Sequence, residues 1–256
     1  MNTEKNSLFR QKAWNVISQT LTTLIAVCGV GMLMATLFTS WPATGIAANL
    51  NSLGGGGANS PASATTTPHP NFRVGLVAGH WGYDTGAVCP DSLGGYREVD
   101  INYTIADLTR QQLQAYGVTV DLLKEFDDRL QGYEANALVS IHADTCEFLQ
   151  GHTSGFKIAE TQSNQRPEQA ARLLKCLENR YAAATGLFLD INRVTIDMTE
   201  YHAFSEINPI TPAVIIETGY MNQDQNLLIG DPYKIARGIA DGIMCYLERQ
   251  PISPEQ

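Results

Sequence analysis

The chain has 256 residues and 27.9 kDa, with 44% hydrophobic and 17% charged residues, enough for one globular domain with a sizeable core but tight for two. Its 17 Lys and Arg stand against 26 Asp and Glu, a formal charge of -9, and beyond the first 20 residues the balance is 14 against 25. So acidic a body excludes nucleic acid and disfavours anionic lipid as partners of the domain, because both affinities rest on basic side chains.

Lys5, Arg10 and Lys12 open the chain, and residues 13–71 carry no charged side chain. Within that stretch residues 21–38, LTTLIAVCGVGMLMATLF, would reach about 27 Å as a helix at ~1.5 Å per residue, near the ~30 Å of bilayer hydrocarbon. With basic residues on its N-terminal side and Trp14 and Trp41 flanking it, residues 21–41 read as a transmembrane signal anchor. The positive-inside rule then puts residues 1–20 in the cytoplasm and the rest outside the cell membrane. Small residues around Ala47 and Ala48 keep the alternative of a cleaved signal peptide and a secreted product. Residues 42–71 are dominated by Gly, Ala, Ser, Thr, Asn and Pro, cannot bury enough apolar surface to fold, and read as a flexible linker that includes His69.

The folded domain is expected over residues 72–249, followed by a tail at 250–256. Residues 72–78 (FRVGLVA) read as a short apolar strand ending at Gly79. Residues 100–116 place Ile101, Ile105, Leu108 and Leu113 at helical spacing, with Gly117 as the stop. Strands follow at 118–123 and 138–142, with a further one at 156–159. A helix runs over 167–185 up to Gly186, a strand over 213–216 and a last helix over 232–247. Strands alternating with helices predict a single α/β domain with a largely parallel central sheet flanked by helices.

Three of these strands finish on side chains that can hold a metal or move a proton: His80 after FRVGLVAG, His142 in LVSIHAD and Glu217 in AVIIETG. Glu98, in GGYREVD, stands at the start of the first domain helix. Strand C-termini and helix starts share one rim of such a sheet, so two imidazoles and two carboxylates are expected to converge there. His, His and Glu form one of the usual ligand sets of zinc hydrolases, leaving a fourth group to carry protons. An acid directly after an apolar run is costly unless it is paired or used.

In order and spacing, HWGYDTGA, GGYREVDINYTIADLTRQQLQAYGVTV, SIHAD and PAVIIETGYMNQDQNLLI resemble the zinc-dependent N-acetylmuramoyl-L-alanine amidases, over nearly all of residues 72–248. The resemblance implies one Zn2+ ion held by His80, Glu98 and His142, with Glu217 as catalytic glutamate. It also implies peptidoglycan as substrate, cut between the lactyl group of N-acetylmuramic acid and L-alanine of the stem peptide. Asp84 and Asp144, beside the histidines, are candidates to orient them; Trp81, where the family has a small residue, and His202 are candidates to meet substrate. Asp144 replaces the family's asparagine, and Arg129 has no clear counterpart in it. Residues 155–167 leave no room for the helix that plugs the site in some relatives, so no built-in plug is expected; the regulatory protein partner, if any, stays unidentified. A zinc hydrolase of another peptide or amide, or a catalytically weak wall-binding protein, remain the alternatives.

Cys89 and Cys146 follow the two histidine-bearing strands, and Cys176 and Cys245 fall in two helices. In an exported domain these four suggest the bridges Cys89–Cys146 and Cys176–Cys245, out of three possible pairings, with buried free thiols as the other reading.

Overall fold

The structure, a computed structural model, describes residues 71–148 and 154–252, all within one compact unit. The expected anchor and linker, with His69, and also His152 lie outside the described residues. Among the described residues no helix is long and apolar enough to cross a membrane.

Five strands form one sheet: β1 (Arg73–Ala78), β2 (Thr119–Leu123), β3 (Ala137–Asp144), β4 (Lys157–Glu160) and β5 (Ala213–Tyr220), in the order β2-β1-β3-β5-β4. The β1–β2, β1–β3 and β3–β5 pairs are parallel, whereas β4 runs antiparallel to β5. The sheet is therefore mixed rather than uniformly parallel. A parallel return needs a crossover of a dozen or more residues, normally helical. Between β3 and β4 no helix is described, and β4 comes back along the far edge of β5 in the opposite sense.

Strand residues alternate between two unequal faces. Val74, Leu76, Ala78, Val139, Ile141, Val214 and Ile216 pack under three long helices. These are α1 (Glu98–Ala115), α2 (Pro167–Thr185) and α6 (Pro232–Leu247). Val77, Leu138, Ala213 and Ile215 point the other way, onto a thinner cover of Leu130, Tyr133, Met198, Tyr201 and Phe204. That cover includes the short helices α3 (Ile196–Thr199) and α4 (His202–Glu206); one more, α5 (Gln225–Leu228), follows β5. Elements this short carry too few residues to show a helical period, so no sequence pattern marks them.

The long helices end where their residue types dictate. Pro167 and Pro232 occupy the first turns of α2 and α6, where a missing N–H costs nothing, and Gly186 (φ 77°) closes α2 in the left-handed conformation. α2 and α6 also approach closely: a Cβ on Gly242 would lie 2.8 Å from the Leu177 Cα. A disulfide joins Cys176 of α2 to Cys245 of α6, and a second joins Cys89 to Cys146. Residues 161–166, between β4 and α2, contain no helix; Asn164 ties that turn to the Thr211 carbonyl at 2.7 Å.

Candidate metal centre

Strand register brings the chemistry together. His142 and Glu217 are direct partners across β3 and β5, and Lys157 faces Glu217 from the other side on β4. By alternation all three point to the thin face of the sheet. Gly79, one residue past β1, lies against the His142 ring, where a Cβ would sit 2.4 Å from the imidazole; only glycine lets the first strand end there.

The β1 exit turns sharply. Trp81 N–H donates to the Ala78 carbonyl, and Tyr83 and Asp84 N–H both donate to the His80 carbonyl. His80 itself has φ 65°, a left-handed conformation uncommon outside glycine. Asp84 folds back to place Oδ1 2.6 Å from His80 Nδ1 and accepts the Gly86 N–H at 2.9 Å.

Glu98 is the first residue of α1, where a carboxylate suits the helix dipole. It is only 6% exposed and is well supplied with donors. Ala87 N–H reaches Oε2 at 3.0 Å, and Asn102 Nδ2, one turn along, reaches Oε1 at 3.1 Å. His80 Nε2 and His142 Nδ1 each lie 3.2 Å from the same Oε1. His80, Glu98 and His142 thus offer three ligand atoms within 4.8 Å of one another, a group able to hold a metal ion.

Electrostatics agree with a cation site. Burial opposes ionisation of Glu98, yet His142 and His80 hold its carboxyl well below the usual range. Burial likewise works against a charged His80, but Glu98 and Asp84 prevail and raise it to about 9. Glu217 is pushed up to about 7, first by burial, with Asp144 and Glu98 adding to it against the pull of His142. Its Oε2 and the Nε2 of His142 are buried without a hydrogen-bond partner, which is costly unless something else meets them.

The remaining candidates are placed differently from one another. Asp84 touches His80. Asp144 instead pairs with Lys157 Nζ at 2.6 Å and caps the Thr145 N–H at 2.7 Å, so the negative charge it adds near the centre is countered by a nearly buried lysine. The Trp81 ring packs on Tyr103 at 4.9 Å and under Lys124. His202 stacks on the exposed Phe126 at 4.2 Å and bonds Glu206 and Glu125. Arg129 clamps its own loop through Asp127 and the Leu122 carbonyl. The Cys89–Cys146 bridge joins the loop that contains His80, after β1, to the loop that follows β3, the strand of His142.

Glu125 is the residue that sequence reasoning missed. It directly follows the strand run VDLLK, the same pattern of an acid at a strand end that singled out Glu217, and it is buried beside both histidines.

The family model described as N-acetylmuramoyl-L-alanine amidase (Amidase_3) matches residues 74–245, which contain every residue of this centre. The chain belongs to that family. A curated amidase relative, N-acetylmuramoyl-L-alanine amidase AmiC of Neisseria meningitidis serogroup B, is 28% identical over 177 residues, covering 61% of this chain and 41% of the relative. The chain thus spans less than half the length of that protein. Among solved amidase structures, the catalytic domain of CwlV from Bacillus (Paenibacillus) polymyxa is similar with a TM-score of 0.53 and 25% identity, over 69% of this chain and 98% of that one. The CwlD amidase from Clostridioides difficile, solved with the GerS lipoprotein, superposes with a TM-score of 0.55 at 24% identity, over 70% and 100% of the two chains; that likeness speaks to the fold.

Gly86 gives the centre a test of its own. A Cβ there would meet Glu98 Oε2 at 2.6 Å and His80 Cδ2 at 2.7 Å, on a backbone with φ 58°. Gly86→Ala is therefore expected to weaken uptake of a divalent metal ion by roughly tenfold or more, read by competition with a chromogenic chelator. Unchanged affinity would show that the cradle has slack.

Proposed function

We propose that this chain hydrolyses the amide bond between the lactyl group of N-acetylmuramic acid and L-alanine of the peptidoglycan stem peptide, and that it does so with one zinc ion, as wall remodelling or turnover requires. The single observation that carries this is the placement of Glu217 beside His142 on the next strand, with a free buried carboxylate oxygen next to the three-residue ligand group. The group fits zinc: the donor set is His, His and Glu, and the buried Glu98 and Glu125 and the half-buried Glu217 crowd two imidazoles.

His80, Glu98 and His142 would hold the ion, with Asp84 on His80 Nδ1 and Asn102 and Ala87 on the Glu98 carboxylate fixing the orientation of the ligands. When bound, zinc supplies Lewis-acid polarisation of the scissile carbonyl and acidifies water. Glu217 takes the proton of the attacking water and returns it to the nitrogen of the departing alanine, which leaves as an amine. Burial raises the Glu217 carboxyl in the metal-free site, which favours its holding the proton between the two steps. Lys157 and Asp144 form a paired wall beside Glu217, holding the negative charge of Asp144 on the lysine rather than on the proton carrier.

The reading extends to location. Two disulfides persist where the compartment is oxidising, and the basic, then apolar, N-terminal sequence would tether the domain to the outer side of the cell membrane or, if cleaved, release it. The test is digestion of purified peptidoglycan by the full chain, with and without a chelator, analysed by mass spectrometry. Intact stem peptides beginning at L-alanine, lost on chelation and restored by zinc, are expected. New peptide amino termini elsewhere would move the assignment to a peptidase, and unaltered wall despite stoichiometric zinc would move it to wall binding.

A further inference from the structure

Glu125 is 5% exposed, and its two oxygens face in different directions. Oε2 accepts the main-chain N–H of His80 at 2.7 Å and stands 3.6 Å from Nε2 of His142. Oε1 accepts the Tyr201 hydroxyl at 2.9 Å and meets His202 Nε2 at 2.9 Å. The Tyr201 oxygen in turn accepts from Ser140 of β3 at 3.1 Å, and His202 Nδ1 is fixed by Glu206 at 2.8 Å. One carboxylate therefore links the loop after β1, the loop after β2, the end of β3 and the start of α4.

We propose that Glu125 is a positioning residue for the metal centre, setting the backbone of His80 and the ring of His142 at once, and that Tyr201 and His202 hold it in place. This rests on the reading of His80, Glu98 and His142 as metal ligands. His80 adopts φ 65°, a conformation that an L-residue keeps only when its surroundings over-determine it. The Glu125 carboxylate on the His80 N–H is such a constraint, because it engages the donor that the turn leaves over.

His142 presents Nδ1 to Glu98 and turns Nε2 towards Glu125. A carboxylate facing the far nitrogen of an imidazole favours a proton there, leaving the near nitrogen with the free lone pair. Asp84 stands in that relation to His80 through Nδ1. Asp84 bonds the His80 nitrogen turned away from Glu98, whereas Glu125 faces the corresponding Nε2 of His142 at 3.6 Å, acting on that ring by its charge rather than by a hydrogen bond, and restrains His80 through its main chain. Glu125 stands behind the His142 ring, not among the three ligand atoms that gather at Glu98.

The test titrates the full chain with zinc against a competing chelator and records the visible absorption of the cobalt(II)-loaded protein, for the unmodified chain, Glu125→Gln and His202→Ala. Glu125→Gln keeps the shape but removes the charge, and is expected to weaken zinc binding 10- to 100-fold and to change the cobalt spectrum. His202→Ala withdraws one support from Oε1 and is expected to lose less, in the same direction. Unchanged affinity and spectrum in Glu125→Gln, with only the unfolding midpoint of the metal-free chain lowered, would make Glu125 a structural buried acid and overturn the proposal. Should that variant not fold, His202→Ala decides it: its partly exposed ring can be removed with the fold intact, and unchanged affinity and spectrum there would overturn the proposal too. Failure of the unmodified chain to take up either ion would sink the metal centre itself and Glu125's role with it. Normal binding by the unmodified chain and by its variants would sink the positioning role alone.

Discussion

Glu217→Gln is expected to lower turnover of muramoyl amide hydrolysis by about 10²–10⁴-fold, the usual range for loss of a general acid–base group, while zinc uptake stays close to that of the unmodified chain. The substitution is nearly isosteric, and Oε2 has no hydrogen bond to lose, so the fold has no reason to change. Burial raises the carboxyl from the ordinary carboxylate range to about 7, which gives the metal-free variant a second signature. An acid whose folded pKa is raised destabilises the folded state once it must ionise there, at every pH above its unfolded value. Gln carries no such cost. The metal-free variant should therefore match the unmodified chain below about pH 4, become the more stable of the two as pH rises towards 7, and keep a constant lead above that. Turnover by chromatography of released stem peptides and thermal midpoints at several pH values check the two parts separately. Retention of more than a tenth of the activity would remove Glu217 from the proton-carrying role.

The second large effect concerns α2 and α6. Loss of the Cys176–Cys245 bridge, in the Cys176→Ala and Cys245→Ala double variant, is expected to cost about 2–4 kcal/mol of unfolding free energy, as closing a long loop in the unfolded chain normally contributes. The cysteines are 69 residues apart, and that interval contains β5 with Glu217 and the whole thin-face cover of α3 and α4. Alanine is the right replacement because both sulfurs lie in fully buried positions, where a serine hydroxyl would add an unpaired polar group. Denaturant unfolding measures the loss. Removal of the Cys89–Cys146 bridge should cost comparable stability and, in addition, metal affinity, because it frees the segments that follow His80 and His142. An unchanged midpoint in the first variant would mean that the Gly238 and Gly242 contacts with α2 already hold the helices together.

Much of the site was legible because β strands convert sequence position into spatial position. A polar residue at the C-terminal end of an apolar run must lie on the sheet rim, and His80, His142 and Glu217 all did. The helices at 167–185 and 232–247 were equally readable, with Pro at their starts and the apolar period intact between. Glu125 escaped because its importance comes from partners 45 residues before it and 76 after it, and no periodicity connects such distances. The direction of β4 escaped for a related reason, since residues 157–160 read the same whichever way they run. Asp144 looked from sequence like extra negative charge near the centre. Its neutralising partner, Lys157, lies across β5 on the edge strand, and only the register puts the two within 2.6 Å.

The same sheet order has a consequence for how the domain meets other copies of itself. An edge strand exposes unpaired backbone donors and acceptors to any passing chain. Here the two edges are the shortest strands, β2 with five residues and β4 with four, and β4 turns the charged Lys157 inward. Short edges and inward-pointing charges are ways in which natural sheets resist edge-to-edge aggregation. The stickier segments, LVSI of β3 and AVII of β5, are the inner strands, shielded on both sides by backbone pairing. Association of this protein into aggregates should therefore require one of the outer strands to peel away first.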